Sequence, residues 1–502
     1  MVLSKFQLKN IPEEQFVIPD DKLFELPERV LQFGTGVLLR GLPDYYIDKA
    51  NRMGVFNGRI VVVKSTSNGE TAAFEKQDGL YNICVRGIQN GQKIEENIVC
   101  SSISRVLSAQ NDWLDILNCA HNPMLQLVIS NTTEMGIVMV NENIHLNPPV
   151  SYPGKLLRFL YERYKAFDGS VQSGMVIVPT ELIENNGNKL ESIVLNLAHL
   201  NGLDARFIDW LENCNHFCNS LVDRIVPGFD AAVKENIEKE MGLKDDLMLV
   251  AEVFNLWAIE GKPEVRGLLS FASVNEGIII AQDITLFKEL KLRLLNATHT
   301  LASSVAFLSG SKFVKHAMND KILEGFISEL VMNDIANAIP YDVKKDEAFK
   351  FGTHVLDRFR NPFINHAWLN ITLNYTLKMK GRVVPILNKQ YELDGAISDS
   401  FSFAFASYLY FMKATQVKDG KYYGEFENQP YLINDDYAEY FYKLWNKNDA
   451  ANLVNTVLSD TELWDMDLLS FAGFEMAVLE NLIRIQETGV FNTLKNLVAS
   501  EA

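Results

Sequence analysis

The strongest constraint on this chain is a strand, a glycine turn, a helix and a second strand in direct succession. Residues 29–33 (RVLQF) form a short apolar run that stops at Gly34. Residues 37–53 repeat apolar positions at helical spacing, and 59–63 (RIVVV) form a second, β-branched run bounded by Asn57-Gly58 and by the segment 65–69. That succession is a βαβ unit of the expected length. Further runs at 125–130 (LQLVIS) and 175–178 (MVIV), with helical patterns near 112–119, 154–166 and 188–213, extend it. The expectation is a mostly parallel sheet with helices on both faces.

The turn itself reads FGTGVLLRG over 33–41. Gly34 permits a tight exit from the strand that ends at Phe33, and Gly36, lacking Cβ, lets a pyrophosphate approach the backbone. The third glycine of a GxGxxG pattern would fall at Leu39; Gly41 comes two residues late. No Gly-Lys-Ser/Thr follows, so this is not a P-loop. An acidic residue for the ribose hydroxyls of NAD usually ends the second strand. Here Lys64 stands there, followed by Ser65, Thr66 and Ser67. The lysine suits the extra phosphate of NADP and the hydroxyls suit the ribose of NAD, so both dinucleotides stay open. The expected fold is an α/β Rossmann-type N-terminal domain over 1–283, followed by a mostly α-helical substrate and catalytic domain over 284–502.

That boundary rests on a change of pattern. Residues 283–309 read as one long helix, with Asp283 as N-cap and Gly310 as stop. Helical patterns then dominate at 319–337, 343–360, 362–380, 397–415 and 436–499. The aromatic stretch 401–411 (FSFAFASYLYF) reads as a buried helix of the second domain, and 435–445 as a half-exposed one.

Charge and cysteine usage narrow the function. Forty-seven basic against 64 acidic residues leave a net charge of −17 without a concentrated basic patch, which argues against a nucleic-acid partner. No stretch approaches the ~18 apolar residues of a membrane span, and MVLSKFQLKN has no apolar core of a secretory signal. A cytoplasmic protein acting on a small molecule is expected; nothing in the sequence specifies an oligomeric state. The five cysteines are too scattered for a disulfide framework. Cys214, His216 and Cys218 alternate within a segment, 211–225, that reads as helical and would scatter them, and there is no HExxH. Metal-free chemistry is expected.

The segment KLRLLNATH (291–299) supplies candidates for it. Lys291, Asn296 and His299 are separated by five and three residues. On an α-helix they lie at about 0°, 140° and 80°, within one face. That face falls just after the domain boundary, where ligand clefts form. Ketone reduction needs a proton at the carbonyl oxygen, and a lysine can give it in one direction and take it back in the other. An asparagine NH₂ can stabilise the developing alkoxide, and a histidine can hold a substrate hydroxyl.

The K-x4-N-x2-H spacing, downstream of an N-terminal GxG, resembles the polyol-specific long-chain dehydrogenases, the mannitol dehydrogenase family. TEMG (133–136), LVDRIVP (221–227), EVFNLWAIE (252–260) and RFRNPFINH (358–366) resemble further family stretches in the same order. The resemblance implies that Lys291 is the acid/base, Asn296 an oxyanion donor, His299 its neighbour and Glu134 a proton-relay carboxylate. Asp223, Arg358 and Arg382 match substrate-side positions. The segments VLQFGTGVLLRG (30–41), VVVKSTSNG (61–69) and VPTELIENNG (178–187) resemble the branch acting on keto-uronates. They imply a reversible, NAD(H)-linked, metal-independent reduction of D-tagaturonate to D-altronate in hexuronate catabolism.

One departure bears on substrate. Mannitol-type members carry Asp-Asn where this chain has Glu181-Leu182, which removes a second oxyanion asparagine and leaves Asn185 and Asn186 as replacements from the next turn. A uronate carries a carboxylate that fructose lacks, and Arg358 or Arg382 is expected to pair with it through a bidentate fork. The competing expectations are a fructuronate reductase, a mannitol-type dehydrogenase, and a dinucleotide-binding redox sensor without catalysis.

Overall fold

A computed structural model describes residues 1–65, 71–132 and 136–501. The chain divides into two compact units. The first comprises Met1–Gly87 and Lys93–Ile284; the second comprises Ile88–Gln92 and Thr285–Ala502. The division falls after Ile284, and the hairpin tip Ile88–Gln92 clusters with the helical unit, which a single cut in the sequence does not capture.

The first unit is built on six parallel strands: β1 (Glu28–Phe33), β2 (Arg59–Lys64), β3 (Ile103–Ser108), β4 (Leu127–Ser130), β5 (Val176–Pro179) and β6 (His216–Phe217). Their order across the sheet is 3-2-1-4-5-6, the doubly wound Rossmann arrangement. Neighbouring residues feed opposite faces. Val30, Ile60, Val62, Leu127 and Ile129 enter one core, while Leu31, Phe33, Val61, Val63 and Val128 enter the other. Burial on both faces is why these strands read as unbroken apolar runs. The order reverses between β1 and β4, so the carboxyl ends of those strands mark the switch point where ligands bind in such sheets.

Three helical expectations need correction here. The pattern over 37–53 is two helices, α1 (Val37–Gly41) and α2 (Pro43–Arg52), because Pro43 brings no N–H to continue α1 and starts α2 at its N1 position. The pattern over 188–213 breaks at Gly202, whose φ of +61° separates Asn186–Leu200 from Ala205–Cys214. The segment 211–225 is not helical beyond Cys214. Asn215 donates to the Trp210 and Leu211 carbonyls and accepts from Met175 N, which turns the chain into β6. Three small sheets were not anticipated: one pairs Tyr81–Gln89 with Gln92–Cys100 and Leu249–Glu252, another pairs Leu256–Glu260 with Ser220–Asp223 and Ile278–Ala281, and a third, in the second unit, pairs Lys421–Phe426 with Gln416–Lys418 and Gln429–Ile433.

The second unit is mostly helical around α-helix Asp399–Phe411. Phe401, Phe403, Phe405, Tyr408 and Phe411 are all buried there, and Phe405 meets Trp464 and Phe474 at ring-centroid distances of 5.6 and 5.5 Å. A helix apolar on every side needs neighbours on every side. Residues 362–380 do not form the single helix expected. Asn374, at φ 50°, separates the short turns Trp368–Ile371 and Tyr375–Lys378. Among the described residues, no helix is long and apolar enough to cross a membrane.

Candidate active site

In the first unit, the turn after β1 is shaped by close packing. Gly34 has φ +131°, and a Cβ there would stand 2.8 Å from Leu39 Cδ1 and 2.9 Å from the Asn131 carbonyl. Its N–H donates to Val63 O. The leucine in place of a third glycine thus lies buried beneath the turn. Gly41 supplies the close approach instead, since a Cβ at that residue would meet Val226 at 2.8 Å. Gly36 is different: a Cβ there would meet no atom of the described residues within 4 Å. Among the described residues the space before the N-terminus of α1 is therefore open, as a pyrophosphate requires.

The side chain of Phe33 is fully buried and packs on Tyr152, so only its backbone is available to a ligand. Lys64 ends β2, 9% exposed. The buried Ser65 hydroxyl finds no partner among the described residues. An orphaned hydroxyl at this strand end fits a ribose. Thr66 and Glu134 lie outside the described residues.

Beyond β5, Glu181 is buried, and its carboxylate accepts from Thr132 N at 2.8 Å, Thr132 Oγ1 at 2.9 Å and Ser130 Oγ at 3.1 Å. Leu182 is 66% exposed. Asn186 is not a free oxyanion donor. Its Nδ2 donates to the carbonyls of Pro179, Glu181 and Ser220, and its Oδ1 accepts from Gly187 N and Ser220 N. Those five bonds join the end of β5 to the strand Ser220–Asp223 and use the carboxamide fully. Asp223 ends the strand Ser220–Asp223, half-buried, in this same unit.

In the second unit, Lys291, Asn296 and His299 share one continuous helical stretch, but not a uniform α-helix. Helix α3 (Thr285–Leu290) widens into a π turn, Lys291–Ala297, before α4 (Thr298–Phe307). In i→i+5 winding, residues five apart lie about one turn apart, so Lys291 and Asn296 stand closer on one face than α geometry gives. Both are half-buried. The Asn296 carboxamide makes no hydrogen bond to any described residue, while its backbone carbonyl accepts from Thr300 Oγ1 at 2.8 Å.

His299 is 9% exposed, stacked on Phe359 at 4.3 Å and edge-on to His366 at 5.1 Å. Burial first, then the charges of His366, Arg358, Arg382 and Lys378, hold its imidazole well below the ordinary histidine range. His366 is lowered as well, by burial and then by Arg358 and Lys378. Burial and Arg382 lower the Lys378 ammonium, with Asp435 opposing. Arg358 is buried near the end of helix Lys345–Phe359. Arg382 is half-buried in another π turn, Met379–Val383, where its Nη1 donates to Thr300 Oγ1 at 3.2 Å and Asn296 O at 3.4 Å.

The helical unit thus brings Asn296, His299, Arg358 and Arg382 into one neighbourhood and adds His366 and Lys378, to which the sequence reading gave no role. A signal for them exists: residues 358–382 contain no Asp or Glu, in a chain of net charge −17.

Comparison with known proteins follows the same two-part division. Residues 28–272 match the model of the mannitol dehydrogenase Rossmann domain, and residues 283–486 match that of the mannitol dehydrogenase C-terminal domain. Altronate oxidoreductase of Bacillus subtilis (strain 168) is 35% identical over 480 residues, covering 95% of this chain and 96% of that protein. Altronate oxidoreductase of Pectobacterium atrosepticum is 36% identical over 473 residues, covering 92% and 96%. Among solved structures, a D-sorbitol dehydrogenase in substrate-free form superposes with a TM-score of 0.77 at 20% identity, covering 98% of this chain and all of that one. Pseudomonas fluorescens mannitol 2-dehydrogenase, in a ternary complex with NAD and D-mannitol, superposes with a TM-score of 0.67 at 23% identity, covering 99% and 100%. At those identities the structural likeness speaks to the fold.

Proposed function

The chain belongs to the mannitol dehydrogenase family, dehydrogenases acting on CH–OH groups, and from that premise we propose that it reduces the ketone of D-tagaturonate to D-altronate, reversibly and with NADH. The observation that carries the substrate class is the basic neighbourhood of His299. An acidic chain gathers Arg358, Lys378 and Arg382 around two imidazoles, an arrangement suited to an anionic sugar acid and wasted on a neutral polyol. The relatives named altronate oxidoreductase support the same choice.

In this reading the first unit binds the dinucleotide through the backbone at Phe33, Gly34 and Gly36 and through Lys64, Ser65 and Thr66. A bound nicotinamide supplies the hydride, or accepts it in the reverse direction. The Lys291 ammonium gives its proton to the carbonyl oxygen as the alcohol forms, and neutral Lys291 takes it back in oxidation. The Asn296 NH₂, uncommitted among the described residues, donates to the developing alkoxide. Neutral His299 orients a substrate hydroxyl, Glu134 relays the proton, and Asp223 binds a hydroxyl. Arg358 and Arg382 hold the carboxylate with charge-assisted bonds. The scheme needs no metal, because Lys291 and Asn296 provide the electrophilic assistance.

The test is loss of nicotinamide absorbance on mixing purified protein with NADH or NADPH and, separately, tagaturonate, fructuronate and fructose. Turnover of tagaturonate with NADH is expected. Turnover of fructuronate or fructose alone overturns the substrate while keeping the chemistry. Cofactor binding without any turnover favours the sensor.

A further inference from the structure

We propose that Arg293 is a positioning residue for this reaction: together with Arg382 it holds the π turn that puts Lys291 and Asn296 on one face. The inference rests on the roles proposed above for those two residues, and its geometry is independent of them. Arg293 lies inside the π turn, 7% exposed, and does not belong to the reactive face. Its Nε donates to Glu289 Oε2 at 2.9 Å, one turn back in α3. Its Nη1 donates to the carbonyls of Gly381 and Arg382, both at 2.9 Å, in the π turn Met379–Val383. Arg382 reaches back, its Nη1 donating to Asn296 O and Thr300 Oγ1. Each π turn therefore sends one arginine to the backbone of the other, Arg293 to two carbonyls and Arg382 to one.

The physical reason lies in the winding. Passing from i→i+4 to i→i+5 bonding leaves carbonyls poorly matched to helical donors, and a buried carbonyl without a donor is costly. Asn296 O shows how this is met, with two side-chain donors, Thr300 and Arg382. Without outside donors the stretch would relax to α winding, in which Lys291 and Asn296 diverge by about 140°. The guanidinium fork suits the task, because its several fixed N–H groups serve Glu289 and two carbonyls together, whereas a lysine presents a single point. Glu289 offsets the charge that Arg293 brings beside Arg382.

The experiment compares wild type, Arg293→Met and the charge-conserving Arg293→Lys, each alone and with Asn296→Ala. Four quantities are read: kcat and KM over a panel of keto-uronates and neutral ketoses, NADH affinity, and amide hydrogen exchange of the peptide 291–300. Both Arg293 variants should lower kcat roughly 10–100-fold, the scale of a displaced reacting group, at unchanged NADH affinity. Exchange over 291–300 should accelerate while that of Asp399–Phe411 stays as it was. In the Asn296→Ala background the Arg293 loss should shrink, because the part of it that passes through Asn296 is already gone. Losses that simply multiply, or a rise in KM alone, overturn the inference. If wild type turns over no member of the panel, the functional reading fails separately, and exchange decides: unchanged 291–300 exchange in Arg293→Lys overturns the clasp.

Discussion

The imidazole of His299 lies flat on the ring of Phe359, centroids 4.3 Å apart and planes 22° apart, with His366 at its edge. Stacked and surrounded by cations, it stays neutral where an exposed histidine would begin to charge. The sign of the resulting pH dependence follows. Unfolding frees His299 and His366 to bind protons below about pH 6.5, so the stability they leave intact above that value is lost as pH falls through it. Urea melts at pH 7.5 and 5.5 should show the helical unit weakening in acid, and His299→Gln should reduce that slope. An unaltered slope in the variant would contradict the assignment.

Lys291→Ala should cut kcat by roughly 10²–10⁴, the worth of a positioned acid/base, while NADH titration shows the dinucleotide still binding. Asn296→Ala should lower kcat by up to ~10²–10³ if the carboxamide meets the alkoxide. A change confined to KM would place Asn296 in ground-state binding instead.

Replacing Arg358 or Arg382 by Met should raise KM for the keto-uronate by about 10–100-fold, the scale of one charge-assisted hydrogen bond at ~1.5–3 kcal/mol. The corresponding neutral ketose should be affected far less. Arg382→Met should also lower kcat, because that arginine bonds the Asn296 carbonyl as well. Equal effects on charged and neutral substrates would remove the carboxylate from the argument.

The two turn glycines separate folding from binding. Gly34→Ala places a Cβ against Leu39 and the Asn131 carbonyl at a φ of +131°, and should lower the Tm. Gly36→Ala meets no atom of the described residues within 4 Å, so the Tm should hold while NADH affinity drops at least several-fold. Unimpaired NADH binding by Gly36→Ala would place the pyrophosphate elsewhere.

Beneath that turn, Asp44 is wholly buried, and burial pushes its carboxyl up to about 7 against the pull of Gln32, Arg40 and Tyr81. Gln32 Nε2 donates to its Oδ2 at 3.3 Å, while Asp44 Oδ1 and Gln32 Oε1 have no other donor among the described residues. A proton on Oδ1 suits a carboxyl buried this deeply, and Gln32 still donates to Oδ2. The folded carboxyl titrates above its unfolded value of about 3.9. Its stabilisation is therefore complete below that value and lost as pH rises to about 7. Asp44→Asn, whose NH₂ replaces the acid proton, should gain Tm over wild type at pH 8 and lose that advantage by pH 5. A difference independent of pH would show that Asp44 is ionised throughout.

The parallel sheet was legible because its strands are buried on both faces and carry unbroken apolar runs. The side sheets were not, because a strand such as Gln92–Cys100 is half-exposed and mixes Glu, Lys and Asn with isolated apolar residues. The aromatic helix at 399–411 was legible for the same reason as the sheet. Within KLRLLNATH the residue types pointed to chemistry, but the π winding was invisible. Leu, Arg, Lys and Ala are ordinary helix formers, and the partners that hold the turn lie outside it: Glu289, which accepts from Arg293, and Thr300 and Arg382, which donate to Asn296 O. His366 and Lys378 escaped notice as separate residues; their signal is the absence of acids across 358–382.

The π turn also divides one helix into two angular frames. Lys291 takes its bearing from α3 and His299 from α4, and the extra width of the turn sets the phase between them. Deleting a residue at 292, 294 or 295 would give a more regular helix with better-matched backbone bonds. It would also swing everything after it by about 100°, carrying His299 off Phe359 and away from its partners. The reacting groups keep their mutual orientation through a local surplus of chain. Selection for a smoother, more stable helix therefore runs against function at this one place.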